Sequence, residues 1–343
     1  MHPHGKGILL TPFSALYGCV VRARNFMYDR IPDLSRYSGK PTISIGGIHA
    51  GGIGKTPMAL LVGRYLHAQG REVAFLSRGY KRKYPKPVIS VPFSNDSWET
   101  VGDEPALLHT ALPESWLGVG ASRCRSARLL SPRLGAKAIF ILDDAFQHRR
   151  IQRDLDIVCL PADPFNDALL PAGTLREPLS GLTRARSICL IGAKNDASLL
   201  AASQEKLKAR FRRVPVFVLY QEPICWVHLD SGACSQNLPL KRPVVLCGIA
   251  RPERFIFLIK KMGISTVAES IFIDHHPFTV NDIDSIVRRT NTTGIITTEK
   301  DAFRLRSLKL VNHAEIWYLK IDLQFSDRES RKLFYAIIDT IIP

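Results

Sequence analysis

The chain has 343 residues, 45% of them hydrophobic and 23% charged, with a formal net charge of +16. That length exceeds what one core usually fills, so two domains are expected, and the composition is that of a globular protein, which excludes a disordered or fibrous chain. No apolar run reaches the roughly 18 residues needed to span a bilayer, and the positive balance points to an anionic partner: nucleic acid, a phospholipid surface or a phosphorylated substrate.

The first element is the apolar run Leu9 to Val21, followed directly by Arg22, Arg24 and Arg30. It lacks a small-residue cleavage site, and its charges lie on the wrong side for a secretory signal. Two readings are open: an interfacial helix with its apolar face in the acyl boundary and arginines on headgroups, or a helix packed on the protein's own core. Next comes the strand-like Thr42–Ile45, then Gly51-Gly52-Ile53-Gly54-Lys55-Thr56, then the apolar-periodic Met58–Leu66. Strand, glycine-rich loop and helix in that order make a phosphate-binding P-loop. Its backbone N–H groups and helix N-terminus face phosphate oxygens. Lys55 is placed for the β/γ-phosphates and the Thr56 hydroxyl for Mg²⁺. The leading glycine of the full pattern is replaced by His49. The bland alternative is a glycine-rich turn opening an ordinary helix.

Val73–Ser77 reads as a strand ending in the turn Arg78-Gly79-Tyr80, and Gly102-Asp103-Glu104-Pro105 as a turn that starts a helix. Asp103 is either the N-cap of that helix or a carboxylate base for an attacking hydroxyl. Trp116–Gly120 and Ala138–Leu142 are further strands, with a helical pattern through Leu130 between them. Asp143 and Asp144 follow the second strand, where a Walker B aspartate sits, and offer Mg²⁺ hard oxygen ligands. Gln147 and His148 lie in the same turn and either face the site or bond locally. Leu155–Leu160, Ser187–Ile191 and Val214–Leu219 continue the strand series, and the loop Leu170–Pro178 carries Arg176, a bidentate oxyanion binder.

Gln221–Arg242, with Pro223, Gly232 and Pro239, reads as a linker or hinge hairpin. Beyond it come strands at Val244–Cys247, Val267–Ile273, Ile295–Thr298 and Ile316–Ile321. Helices lie near Glu253–Met262, Val280–Arg289 and Arg328–Ile341. Continuous apolar runs separated by helices predict an α/β fold: a P-loop NTPase-like parallel sheet covered by helices on both faces, with a second, smaller α/β lobe. The expected divisions are an N-terminal helix over 1–30, a P-loop core over 31–220, a hinge over 221–242 and a smaller closing lobe over 243–343. Asp274-His275-His276 ends a strand of the second lobe, where a histidine beside an aspartate tunes a proton transfer or caps a helix. Thr297-Thr298-Glu299-Lys300-Asp301 is similar to the base-reading loop of GTPases but lacks its leading Asn. The seven cysteines are odd in number and widely spaced, with no C-x-x-C pair, which argues a reducing cytoplasm and no zinc site. The basic clusters Lys81-Arg82-Lys83, Arg149-Arg150 and Arg210–Arg213 do not alternate with aromatics as a single-strand-binding platform does.

Taken together, Gly51-Gly52-x-Gly54-Lys55-Thr56-Pro57, Ser77-Arg78-Gly79-Tyr80, Gly102-Asp103-Glu104-Pro105, Asp143-Asp144-x-x-Gln147-His148, Leu170-Pro171-Ala172-Gly173-x-Leu175-Arg176-Glu177-Pro178 and Asp274-His275 resemble, in order and spacing, the tetraacyldisaccharide 4'-kinase family. The resemblance runs from about Tyr17 to Asp301. It implies ATP- and Mg²⁺-dependent phosphorylation of the 4'-hydroxyl of a tetraacylated glucosamine disaccharide 1-phosphate in lipid A biosynthesis, giving lipid IV-A. The place is the cytoplasmic face of a Gram-negative inner membrane, where the enzyme is peripheral. The implied partners are the lipid substrate and an anionic membrane surface, with neither nucleic acid nor an obligate protein. It also implies Asp103 as general base supported by His275, Lys55 and Thr56 at the γ-phosphate and Mg²⁺, Asp143 as the Walker-B-type carboxylate with Asp144 beside it, and Arg78, Glu104, Arg123, Gln147, His148 and Arg176 near the phosphates or the headgroup. Ile53 stands where Thr or Ser is usual, Ser122 replaces an Asp before Arg123, and Lys81-Arg82 replace small residues. The alternatives are a soluble P-loop GTPase or metallochaperone-type switch, resting on Thr298–Asp301 and the cysteines, and a basic nucleic-acid-binding ATPase, resting on charge alone.

Overall fold

The computed structural model describes residues 4–80, 82–94, 97–306, 308 and 314–342, with side chains from residue 10 onward. Lys81, one of the two basic residues noted after Tyr80, lies outside the described residues. The first part of the chain runs α1 (His4–Arg30), β1 (Thr42–Gly46), α2 (Lys55–Ala68), β2 (Glu72–Ser77), β3 (Val88–Ser90), α3 (Trp98–Val101), α4 (Asp103–Ala111), β4 (Trp116–Val119), α5 (Arg123–Leu130), β5 (Ala138–Leu142), β6 (Leu155–Pro161), β7 (Ser187–Gly192) and α6 (Ala197–Arg210). The rest runs β8 (Val216–His228), β9 (Cys234–Ser235), β10 (Val244–Cys247), α7 (Pro252–Lys261), β11 (Ala268–Ile271), α8 (Val280–Thr290), β12 (Gly294–Thr298), α9 (Glu299–Leu305), β13 (Glu315–Phe325) and α10 (Arg328–Asp339).

These strands build one 13-stranded sheet in the order β11-β10-β12-β13-β8-β7-β6-β1-β5-β2-β4-β3, with β9 on β8. Pairing is parallel except at β3–β4, β8–β9 and β8–β13. The central strands β1 and β5 are buried at every position, as parallel strands covered on both faces require. β1 lies between β5 and β6. The loops after β1, β2 and β5 therefore share one sheet edge, beyond the carboxyl ends of the strands where open α/β sheets bind ligands.

Two features depart from the sequence reading. The stretch read as a linker or hinge hairpin does hold a hairpin, β8 with β9, but its first part is continuous sheet: β8 runs through Gln221 to His228 and pairs antiparallel with β13, from Leu219↔Phe325 to His228↔Trp317. Pro223 did not end the strand; the ladder accommodates it opposite Ile321, beside a register shift at Lys320/Ile321. α10, expected in the smaller lobe, packs back on the P-loop core. Phe334 and Ile338 join the apolar cluster of Ile43, Met58 and Phe75, and Tyr335 stacks on Tyr65 of α2 at 4.0 Å. The C-terminal strands keep separate cores around Val244, Ile283 and Ile295 on one face and Trp226, Phe255 and Ile296 on the other.

Candidate active site

The loop after β1 turns into α2 through Gly54, whose φ of 88° is a left-handed conformation that favours glycine. Ile53 points the other way: it is 7% exposed and packs in the main core with Met58 and Ile191. Its departure from Thr or Ser thus serves packing. Lys55 and Thr56 open α2, and the Lys55 ammonium lies 2.9 Å from Asp144 Oδ1. The Arg176 guanidinium donates to both Asp144 oxygens, at 2.8 and 2.9 Å. Burial pushes the Asp144 carboxyl upward, but Lys55 and Arg176 outweigh it and hold it below the usual carboxylate range.

Asp143 behaves in the opposite way. It is fully buried, and neither of its oxygens meets a hydrogen-bond donor among the described residues. Burial, reinforced by Glu104 and Asp144, pushes its carboxyl up to about 8. The two neighbours differ because Asp144, at φ 46°, meets Lys55 and Arg176, whereas Asp143 meets burial and the charge of Glu104. Mg²⁺ bound with nucleotide phosphates asks the protein for only one or two hard oxygens. A buried carboxylate with both oxygens open, facing the edge that carries Thr56, is such a donor. Among the described residues no group of three or more His, Cys, Asp or Glu side chains is arranged to hold a metal alone.

Asp103 begins α4, and Gly102, at φ 95°, holds the N-cap position. An added Cβ on Gly102 would press within 3.1 Å of the Gly79 backbone, so these glycines let the Arg78-Gly79-Tyr80 turn lie against the Asp103 turn. The Asp103 side chain makes no cap bond. Its Oδ2 instead lies 2.8 Å from His275 Nδ1, 172 residues away in sequence. His275 sits at φ 63°, its N–H donating to the Gly248 carbonyl at 3.0 Å, and the Tyr80 ring meets its imidazole edge-on at 5.6 Å. Its neighbour His276 does different work: it stacks on Phe272 at 4.5 Å and reaches Asp282 at the start of α8. Glu104 pairs with Lys300 of α9 at 3.3 Å.

Arg123 starts α5, whose N-terminus is capped by Ser122 accepting from the Arg125 N–H, so serine does the capping where an aspartate was expected. Burial lowers the Arg123 guanidinium to about 10 against the pull of Asp143 and Asp144, which places it beside the carboxylate pair. Arg78 is exposed at the same edge, and burial with the surrounding arginines lowers His148 to about 4, leaving it neutral at pH 7. Gln147 does not face open space: its amide donates to the Gly47 carbonyl at 3.0 Å and to Glu177 at 2.6 Å. Glu177, which no sequence argument singled out, is fully buried and also accepts from Asn25 and Arg184, at 3.0 and 2.9 Å. Its one signal was its place after Arg176 in a proline-flanked loop.

The GTPase-like stretch has no freedom to read a base. Asp301 is fully buried, accepts from the Gly248 N–H and the Thr298 hydroxyl, and pairs with Arg304. Thr298 caps α9 by accepting from the Asp301 N–H.

The model of the family described as LpxK, tetraacyldisaccharide-1-P 4'-kinase, matches residues 7–340. A tetraacyldisaccharide 4'-kinase of Chlorobaculum tepidum is 35% identical over 346 residues, covering 95% of this chain and 96% of its own. One from Chlorobium phaeovibrioides is 36% identical over 357 residues, covering 99% of each. The crystal structure of an LpxK from Aquifex aeolicus in complex with ATP superposes with a TM-score of 0.77 at 27% identity, covering 98% of this chain and 99% of that one. With a P-loop, a carboxylate pair and an Asp–His pair on one sheet edge, and with these relatives along nearly its whole length, the chain belongs to the tetraacyldisaccharide-1-phosphate 4'-kinase family.

Proposed function

We propose that the protein transfers the γ-phosphoryl group of ATP to the 4'-hydroxyl of a tetraacylated glucosamine disaccharide 1-phosphate, a step of lipid A biosynthesis, with Asp103 as the general base. The observation that carries this reading is the Asp103–His275 contact of 2.8 Å next to Glu104, whose charge reaches Asp143. A phosphatase or switch needs only a positioned water; transfer to an alcohol is served by a carboxylate that takes the hydroxyl proton. With its Nδ1 protonated, the His275 imidazole donates to Asp103 and orients it. Lys55 exchanges Asp144 for the β- and γ-phosphates, and Arg123 and Arg176 add positive charge where the transferred group becomes most anionic. Thr56 and Asp143 would hold Mg²⁺, which when bound would neutralise charge on the phosphate oxygens.

The substrate's acyl chains keep it in a lipid surface, and α1 is built to meet one. Its inward face is mostly small or polar, with Val21 the buried apolar exception among the described side chains. Ser14 donates to the Leu169 carbonyl at 2.9 Å, Tyr17 to the Arg176 carbonyl at 2.8 Å and Asn25 to Glu177 at 3.0 Å. Phe13, Leu16 and Val20 point outward at 62%, 65% and 61% exposure. A helix with its polar face on the protein and its apolar face outward is reversed relative to an ordinary surface helix and suits the interface of an anionic membrane. Neither sequence reading of this segment was complete: it packs on the protein and leaves its apolar face open. No described helix is long and apolar enough to cross a membrane, so the proposed association is peripheral, at the cytoplasmic face of the inner membrane.

The test is a phosphoryl-transfer assay with the tetraacyl disaccharide in mixed micelles, ATP against GTP. Product phosphorylated at the 4'-position from ATP is expected, with a loss of about 10²–10⁴-fold in Asp103→Ala. Full activity in Asp103→Ala removes it as the base, and no product from the wild-type chain removes the substrate assignment.

A further inference from the structure

We propose that Arg304 is a positioning residue for the Asp103–His275 pair, so that the base is assembled only when α9 is seated on α4. This inference rests on the reading of Asp103 as base. Arg304 is fully buried and reaches four groups around that pair. Its Nε lies 3.5 Å from Asp103 Oδ2, Nη1 donates to the His276 carbonyl at 3.1 Å, Nη2 donates to the Gly248 carbonyl at 3.0 Å, and Nη2 also pairs with Asp301. The Gly248 carbonyl is the same oxygen that accepts from the His275 N–H. One guanidinium thus holds the carbonyl on which the histidine hangs and the turn that follows it, and places its Nε as an ion-pair neighbour of the carboxylate of the base.

The bland account is that Arg304 neutralises buried Asp301, three positions before it. That account needs one edge of the guanidinium and leaves the approach to Asp103 unexplained. The sequence spacing supports the wider role. Lys300 and Arg304, four apart on one helical face, meet the consecutive acids Glu104 and Asp103. Two cations of α9 therefore meet two carboxylates at the N-terminus of α4. Arg is the residue for this task because its planar fork serves several acceptors at once, which a lysine ammonium cannot match in geometry. Asp274 is a further charged neighbour at the pair, 3.7 Å from His275 Nε2.

The experiment compares Arg304→Met, Arg304→Lys and the double variant Asp301→Asn/Arg304→Met, which also removes the acid that a lone Arg304→Met would leave unpaired. A fall in kcat of about 10–100-fold with KM for ATP within about twofold is expected for both Met variants, and partial recovery in Arg304→Lys. In an Asp103→Asn background, Arg304→Met is expected to cost less than about threefold, because the group it positions is already gone. A second readout needs no substrate: the low-field imidazole N–H resonance of the His275–Asp103 bond, assigned by its loss in His275→Gln, is expected to vanish or move in the Met variants. Should Arg304→Met fail to fold, the double variant and Arg304→Lys carry both readouts. Wild-type kcat with an unmoved resonance overturns the proposal, and so does an undiminished loss in the Asp103→Asn background. Failure of the 4'-kinase assay itself strikes the functional reading instead, and the resonance still judges Arg304.

Discussion

Replacing Asp143 by Asn should stabilise the nucleotide-free protein while destroying its activity. Asp143 is buried with neither oxygen hydrogen-bonded among the described residues, and burial, Glu104 and Asp144 push its carboxyl from 3.8 to about 8. A pKa raised on folding penalises the fold as pH climbs past the unfolded value, and the penalty levels off above the folded one. Each pH unit in that window is worth about 1.36 kcal/mol, so the ceiling at pH 8 is about 6 kcal/mol. A buried amide with unmet hydrogen bonds keeps about 1–3 kcal/mol of that cost. The net gain for Asp143→Asn is therefore about 3 kcal/mol at pH 8 and near zero at pH 5, where the wild-type carboxyl is protonated in the fold and the penalty is small. In a chain of this size that amounts to about 5 °C in melting temperature. The assay is a thermal melt of both proteins at pH 5 and pH 8, without nucleotide and with MgATP. MgATP should raise the wild-type melting temperature and leave the variant nearly unmoved. Equal gains at the two pH values, or a variant less stable than wild type at pH 8, would refute the reasoning.

Other outcomes follow from the same contacts. Glu177→Ala leaves Arg184 buried without its carboxylate and strips Gln147 and Asn25 of a common acceptor; a loss of about 3–5 kcal/mol is expected by denaturant titration. Ile53→Ser restores the usual residue type of the loop, yet it should lower stability by about 2–5 kcal/mol because the side chain is core; tighter ATP binding by calorimetry would contradict that placement. Leu16→Glu/Val20→Glu alters only exposed positions and should leave the melting temperature unchanged while cutting sedimentation with anionic vesicles by about tenfold. Unchanged sedimentation would end the case for α1 as the lipid-facing surface.

The strand–loop–helix placement of the glycine loop and the acidic pair was legible in the sequence because it is local. Gly51 to Thr56 and Asp143-Asp144 each follow an apolar strand within a few residues, and the strand–loop–helix grammar fixes where such side chains emerge. Long-range features had no such signal. Nothing in the spacing of Asp103 and His275 announces a contact across 172 residues; only resemblance to a family suggested the pair. The different fates of Asp143 and Asp144 depend on the partners each side chain meets in the fold, which two adjacent identical letters do not reveal. For Gln147 the position left two readings open, facing the site or bonding within the protein, and the structure engages it with Gly47 and Glu177 because a buried Glu needs donors that no local pattern discloses.

The region read as a hinge changes how closure is to be understood. A flexible linker would let a second lobe swing freely. Here β8 crosses from one half to the other and is zipped to β13 along nearly its whole length, and α10 returns from the end of β13 to the core beneath the P-loop. Any approach of the C-terminal strands to the nucleotide must therefore twist a continuous sheet. Such a sheet yields by small rotations between strands. The residues best placed to feel a small rotation are those that bridge the halves above it, Lys300 on Glu104 and Arg304 on Asp103. On the proposal that Asp103 is the base, an ångström lost there would weaken its contact with the histidine, and its chemistry would then follow the set of the sheet rather than a loop that opens and shuts.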